Sequence, residues 1–261
     1  MKFFTKAMLF SILLSSSINA QESVKMFSAE YFGCTFSENK DMSDLNRFVN
    51  RWNDWMDDGD RNNYTANILL PLYKSPSDEI DFLWVGNTNT ITEMAIGQSE
   101  YRSSKVIDSF PSDSCPYSMW ARQMVVQDVN ESDDWNWDEF VVAYHYCELK
   151  DGKTIDDAFN AQKEWVDYMN SIGDERGSRL VLPSHGSGPL MGDTDFVLLL
   201  AHGSLEKWGK NLDNGFMDRD ERASFTRSET YSCKNPVLYT CLLYTSPSPR
   251  DRTRSRMPSS A

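Results

Sequence analysis

The chain has 261 residues and carries 39 Asp and Glu against 26 Lys and Arg, a formal net charge of −13 at neutral pH. A surface of that sign repels phosphate backbones and anionic lipid headgroups, which removes nucleic-acid binding and peripheral membrane binding from the candidate functions. Apolar residues make up 40% of the chain and aromatic ones 13%, enough for a packed core and too many for a disordered segment.

Both ends read as something other than fold. Lys2 and Lys6 precede an apolar run, Ala7–Leu14, and a small-residue stretch ending at Ala20. That is the form of a secretory signal peptide over residues 1–20, and the run is too short to cross a bilayer. No Cys follows the cleavage point to take a lipid anchor. The expectation is a periplasmic or secreted bacterial protein with no membrane insertion once the signal is removed. At the other end, Cys241–Asp251 (CLLYTSPSPRD) and Ser255–Ala261 (SRMPSSA) look like in-frame translations of the two ends of a transposase sequencing adapter. Residues 241–261 are therefore read as a non-native tail, with the native chain cut off near Thr240.

Between these ends the elements alternate in a fixed order. Ser28–Phe36 reads as an aromatic-rich strand. Asp41 is an N-cap, and Met42, Leu45, Phe48, Val49, Trp52, Trp55 and Met56 recur at helical steps until Gly59. Strands follow at 64–73 and 80–86, separated by the turn signal Ser75–Asp78. A weaker helix is expected over 90–110 and a strand over 118–126. The acidic, unpatterned stretch 128–139 reads as a linker. The order then recurs: a strand at 140–149, a helix capped by Thr154 and ended by Gly173, strands at 178–183 and 195–201, a helix near 205–216, and a closing strand from Tyr231.

The recurrence is also one of identity. Tyr31–Met56 overlays Tyr144–Met169 without a gap, matching Tyr31/Tyr144, Cys34/Cys147, Lys40/Lys153, Asp44/Asp157, Trp52/Trp165, Asp54/Asp167 and Met56/Met169. An internal repeat of two β-α-β-β-α-β units predicts tandem ferredoxin-like folds, residues 21–127 and 140–240. With 241–261 set aside, Cys34, Cys115, Cys147 and Cys233 remain, an even count behind a signal peptide. Three pairings are open. In the ferredoxin-like topology the first and fourth strands are antiparallel neighbours, which selects Cys34–Cys115 and Cys147–Cys233.

The tandem unit resembles the dimeric α+β barrel superfamily, with one chain supplying both halves, and secreted bacterial proteins of unknown function that open on a CxLxDGKT-like segment. Cys147–Thr154 (CELKDGKT) fits that start, whereas the first copy, CTFSENKD, lacks its Gly. The resemblance implies an α+β pseudo-dimeric barrel. It transfers no activity, because that superfamily holds cofactor-free oxygenases, haem enzymes and plain binding modules.

Candidate chemistry is sparse. Trp52 and Trp165 lie on the apolar helix stripe, where core packing competes with ligand stacking. Lys40 and Lys153 precede the helix caps, where each serves an anionic ligand or simply its neighbouring aspartate. His145, His185 and His202 all fall in the second copy. No HExxH or other close metal spacing occurs, so no metal and no cofactor is assigned. His185-Gly186-Ser187-Gly188 lacks the accompanying nucleophile elbow of a serine hydrolase. Asp213–Glu221 lacks EF-hand spacing. The leading expectation is a disulfide-stabilised secreted protein that binds a small molecule without catalysis. The alternative is a dimeric-barrel enzyme, a cofactor-free oxygenase or a haem-dependent one, using His202, His185 or Tyr144. A structural surface protein would be a third case.

Overall fold

The computed structural model describes residues 24–59, 61, 63–73, 79–129, 135, 139–186, 192–217 and 221–245. Residues 1–20, expected from the sequence to be a signal peptide, most of the expected linker and residues 246–261 lie outside them. The first unit comprises β1 (Met26–Thr35), α1 (Met42–Asp58), β2 (Thr65–Tyr73), β3 (Phe82–Thr88), α2 (Ile91–Ser103), a short 3-10 turn and β4 (Ser114–Gln127). The second comprises β5 (Val141–Leu149), α3 (Ile155–Ser171), β6 (Gly177–His185), β7 (Phe196–His202), α4 (Leu205–Met217), α5 (Glu221–Thr230) and β8 (Tyr231–Thr245). Of these, α5 was not legible in the sequence: its stretch, ERASFTRSET, shows no apolar stripe.

Each unit is an antiparallel sheet, β4-β1-β3-β2 and β8-β5-β7-β6, and the two join through β2–β8 and β4–β6 into one closed eight-stranded barrel. Closure removes the edges that four-stranded sheets would otherwise expose. The fold is thus a pseudo-dimeric α+β barrel made by a single chain, as the repeat implies. Strand side chains alternate between two buried faces. Ala29, Tyr31, Val85, Val142, Tyr144, Leu199 and Tyr239 fill the barrel interior. The outer face of the first sheet packs under α1 and α2 through Phe48, Trp52, Phe82, Trp84 and Met94, and that of the second under α3 through Ala158, Ala161, Leu180, Phe196 and Leu198.

The helix starts are local. The Asp41 carboxylate accepts from the Ser43 and Asp44 backbone N–H groups while Asp44 caps back, and Thr154 and Asp157 form the same reciprocal box on α3. Gly173, at φ +85°, turns the chain out of α3 where a side chain would be strained. Both disulfides join the strands expected, Cys34–Cys115 and Cys147–Cys233. In the second unit the two cysteines stand directly opposite in the β5–β8 register. The closing strand continues past Thr240: Cys241, Leu243, Tyr244 and Thr245 stand opposite Leu69, Ile68, Asn67 and Ala66 of β2. Whatever their origin, these residues take part in the barrel seam, and Cys241 is buried there outside both disulfides. No described helix is long and apolar enough to cross a membrane.

Candidate active site

The first unit holds a cavity of about 600 Å³ between its sheet and its helices. Aromatic side chains form much of its wall, among them Phe32, Phe48, Trp52, Trp84 and Tyr101, and Arg61, Glu100 and Arg102 stand among its more exposed lining residues. That size and character suit a small, largely apolar molecule.

One carboxylate of the lining is buried. Glu30 sits mid-strand in β1 on the face covered by the helices and is only 5% exposed. Its Oε1 accepts from the Tyr64 hydroxyl at 2.6 Å, and its Oε2 accepts from Gln98 Nε2 at 2.6 Å. Tyr64 in turn accepts from the Trp84 indole N–H at 2.8 Å, so its single proton points at Glu30. Burial pushes the Glu30 carboxyl above the usual carboxylate range, against the opposing pull of Tyr64, Gln98 and the Arg102 charge. Burial and the Glu30 charge together hold the Tyr64 proton in place far above its ordinary range. Each carboxylate oxygen keeps a lone pair beyond the one used here, so Glu30 can still take a proton from a molecule in the cavity.

Gly86 makes the arrangement sterically feasible. A Cβ built there would come within 1.9 Å of the Tyr64 hydroxyl oxygen. Gly86→Ala is expected to push Tyr64 off Glu30 and Trp84 and to cost about 1–3 kcal/mol of stability, read by urea unfolding.

The second unit cannot repeat the site. Under the 113-residue offset Ala143 takes the place of Glu30; Arg176 precedes β6 as Tyr64 precedes β2, and Leu198 is third in β7 as Trp84 is third in β3. In that unit a polar network occupies the space under the helices instead. Buried Asp174 pairs with Arg176 and accepts from Asn211 Nδ2 at 2.6 Å. Tyr231 donates to Gln162 at 2.7 Å and accepts from Arg227 Nε at 2.9 Å.

The residues singled out from sequence are scattered over this frame. His202 ends β7 on the outer face, 3% exposed, with Nδ1 3.0 Å from Asn211 Nδ2 and its ring edge-on to Trp208. His185 is exposed at the end of β6, beside Ser184 and Trp120. Tyr144 points into the barrel against Tyr31 and Tyr239, on the opposite face from His202. Lys40 contacts Asp44 at 3.3 Å on the surface, and Lys153 sits in the exposed turn ahead of α3, where hydrogen bonds from Thr154 and, least of all, the Lys153 charge lower the pKa of Asp157. Trp165 packs under the Arg227 guanidinium, 4.8 Å from its ring centre. Of all these, Trp52 alone lines the cavity, packed edge-on against Trp84 at 5.3 Å. Sequence reasoning passed over Glu30, Tyr64 and Gln98. The available signal was a carboxylate in the run Ala29–Phe32, whose neighbours are apolar on both sides.

Burial lowers the pKa of His145 to about 4 and that of His202 to about 3. The unfolded chain binds these protons near pH 6.5, and the folded chain does not bind them until far lower pH. Their contribution to stability is therefore present above pH 6.5 and is lost as pH falls toward 4 and 3. Thermal unfolding followed from pH 7 to 4 should show the decline, and His145→Phe, which installs the first unit's Phe32 counterpart, should flatten it.

No family model matches the sequence, and no curated protein does. Solved structures do match in fold. An anthrone oxidase-like protein superposes with a TM-score of 0.54 at 12% identity, over 86% of this chain and 94% of its own. A candidate monooxygenase from Fusobacterium nucleatum subsp. nucleatum gives 0.54 at 10% identity, over 87% and 96%. A candidate chlorite dismutase gives 0.51 at 13%, over 84% and 95%. At such identities the likeness shows the fold alone.

Proposed function

We propose that the chain is an extracytoplasmic cofactor-free oxygenase, with one active site, in the first unit, acting on an aromatic substrate that carries an acidified C–H. The observation that carries this reading is Glu30, a buried carboxylate with its pKa raised, held by Tyr64 and Gln98 inside an aromatic cavity. A pocket built only to hold an apolar ligand has no use for such a group, whose burial costs stability. For that reason the expectation of binding without catalysis gives way to the enzyme reading. Structural neighbours described as an anthrone oxidase-like protein and a candidate monooxygenase lend support. Two disulfides and the signal-like start support the location.

Glu30 accepts a proton from a methylene flanked by aromatic or carbonyl groups, leaving a stabilised carbanion. Tyr64 and Gln98 keep the carboxylate oriented, and the wall aromatics exclude water and hold the ring system. Molecular oxygen adds to the carbanion. One of its atoms becomes the new carbonyl oxygen and the other leaves as water with the two methylene hydrogens, so CH₂ plus O₂ gives C=O plus H₂O. The haem-dependent alternative rests on the histidines of the second unit, and none of them lines this cavity.

Purified protein should consume one oxygen per tricyclic ketone with an activated methylene, and its visible spectrum should be featureless. A Soret band, or no oxygen uptake across a panel of such substrates, overturns the proposal.

A further inference from the structure

How α2 is held suggests a second role in the site, one that rests on Glu30 being the base. Met94 is the one residue of α2 that is buried, Tyr101 is half-buried against the Trp55 ring, and Ile91 and Ile96 are exposed. A helix with so little apolar anchorage belongs to the easily opened part of a fold. Two polar contacts fasten it. At the rim, Glu100 accepts from Arg61 Nε at 2.6 Å, and Arg61 lies over the Trp55 ring at the end of α1. Inside the cavity, Gln98 Nε2 donates to Glu30 Oε2 at 2.6 Å.

We infer that Gln98 is a positioning residue whose amide holds the Glu30 carboxylate in the cavity and at the same time seats α2 over it, so that the base is complete only when the helix is closed. With Tyr64 on one oxygen and Gln98 on the other, the carboxylate plane is fixed. With α2 seated, removal of the Gln98 donor alone takes away a group that favours the charged form of Glu30, so the carboxyl retains its proton to higher pH. The titratable and charged groups facing Glu30 are Tyr64, ahead of β2, and Tyr101 and Arg102, both on α2. Arg102 rides on α2 as well, so lifting the helix withdraws a favourable charge, but it also admits water to a carboxyl whose burial is the largest cause of its raised pKa, and that effect has the opposite sign. The helix thereby couples closure over a substrate to the orientation of the base.

The test uses Gln98→Met, which keeps the side chain's length and removes the donor, together with Gln98→Asn, which keeps the amide but draws it back by one methylene. Infrared difference spectra against Glu30→Gln isolate the Glu30 band in the full-length protein without substrate. Both variants should raise its midpoint by about one unit, move the acid limb of turnover by the same amount, and speed amide exchange across residues 91–103. An unchanged midpoint with unchanged exchange overturns the inference. So does a shift in Gln98→Met that Gln98→Asn does not share, because the lost donor would then not be the cause. Full turnover in Glu30→Gln would instead overturn the oxygenase reading, whatever the infrared result.

Discussion

Glu30→Gln should lower oxygenase turnover by about 10²- to 10⁴-fold, the usual contribution of a positioned general base, without destabilising the protein. The replacement is nearly isosteric. Tyr64 can still donate to the amide oxygen, and Gln98 can turn its own carbonyl toward the new NH₂, so the packing around Trp84 is preserved. Stability should move the other way from activity. A carboxyl whose folded pKa is raised binds its proton more readily in the native chain than in the unfolded one. Its ionised form therefore penalises the fold, and the penalty appears as pH rises through the ordinary carboxyl range and past the raised folded value. The amide removes that penalty, so Glu30→Gln should unfold at equal or higher temperature at pH 7, with a flatter dependence on pH. Loss of turnover together with gain in stability distinguishes a group kept for chemistry from one kept for structure. A variant that stays active, or one that unfolds earlier, would assign Glu30 to the fold.

Removing either disulfide should cost roughly 4.5 kcal/mol in the chain-entropy account, since the bridges close loops of 81 and 86 residues. For a chain of this size that corresponds to about 10–15 °C in melting temperature, measurable by calorimetry on Cys34→Ser/Cys115→Ser and Cys147→Ser/Cys233→Ser. The loops are nearly equal in length, so the two stability losses should be similar. Their functional consequences should differ. Cys115 lines the cavity, so loss of its bridge loosens the wall between β4 and β1 and should reduce turnover beyond the stability effect. The second bridge lies in the unit whose space under the helices is taken by Asp174, Arg176, Gln162 and Tyr231, and its loss should affect stability alone.

The repeat made the fold legible. Matching Trp52 to Trp165 and Cys34 to Cys147 requires the two halves to share a topology, and that topology selects one cysteine pairing out of three. The same matching misdirected the search for a site. It drew attention to positions kept in both halves, Lys40 and Lys153 among them, and these are exposed at the helix starts common to both units, outside the cavity lining. The histidines stood out for their rarity, yet His202 is engaged by Asn211 and kept neutral by burial. The positions that carry the proposed chemistry are those where the halves diverge. Glu30 faces Tyr64 and Trp84 in the first unit, while Ala143, Arg176 and Leu198 stand at the corresponding places in the second.

By itself the sequence determined the element order apart from α5, the helix caps, the two-unit architecture and the disulfide framework. Each of these depends on short-range periodicity or on a pattern repeated along the chain. Only the tertiary structure decided which strand face is covered by helices, and hence that Glu30 is buried and not solvated. Tyr64 and Gln98 reach that carboxylate from 34 and 68 positions away in the chain, and Trp84, set opposite Phe32 by the β1–β3 pairing, holds Tyr64. A strand's alternation shows that it has two faces, but barrel closure decides what lies against each of them.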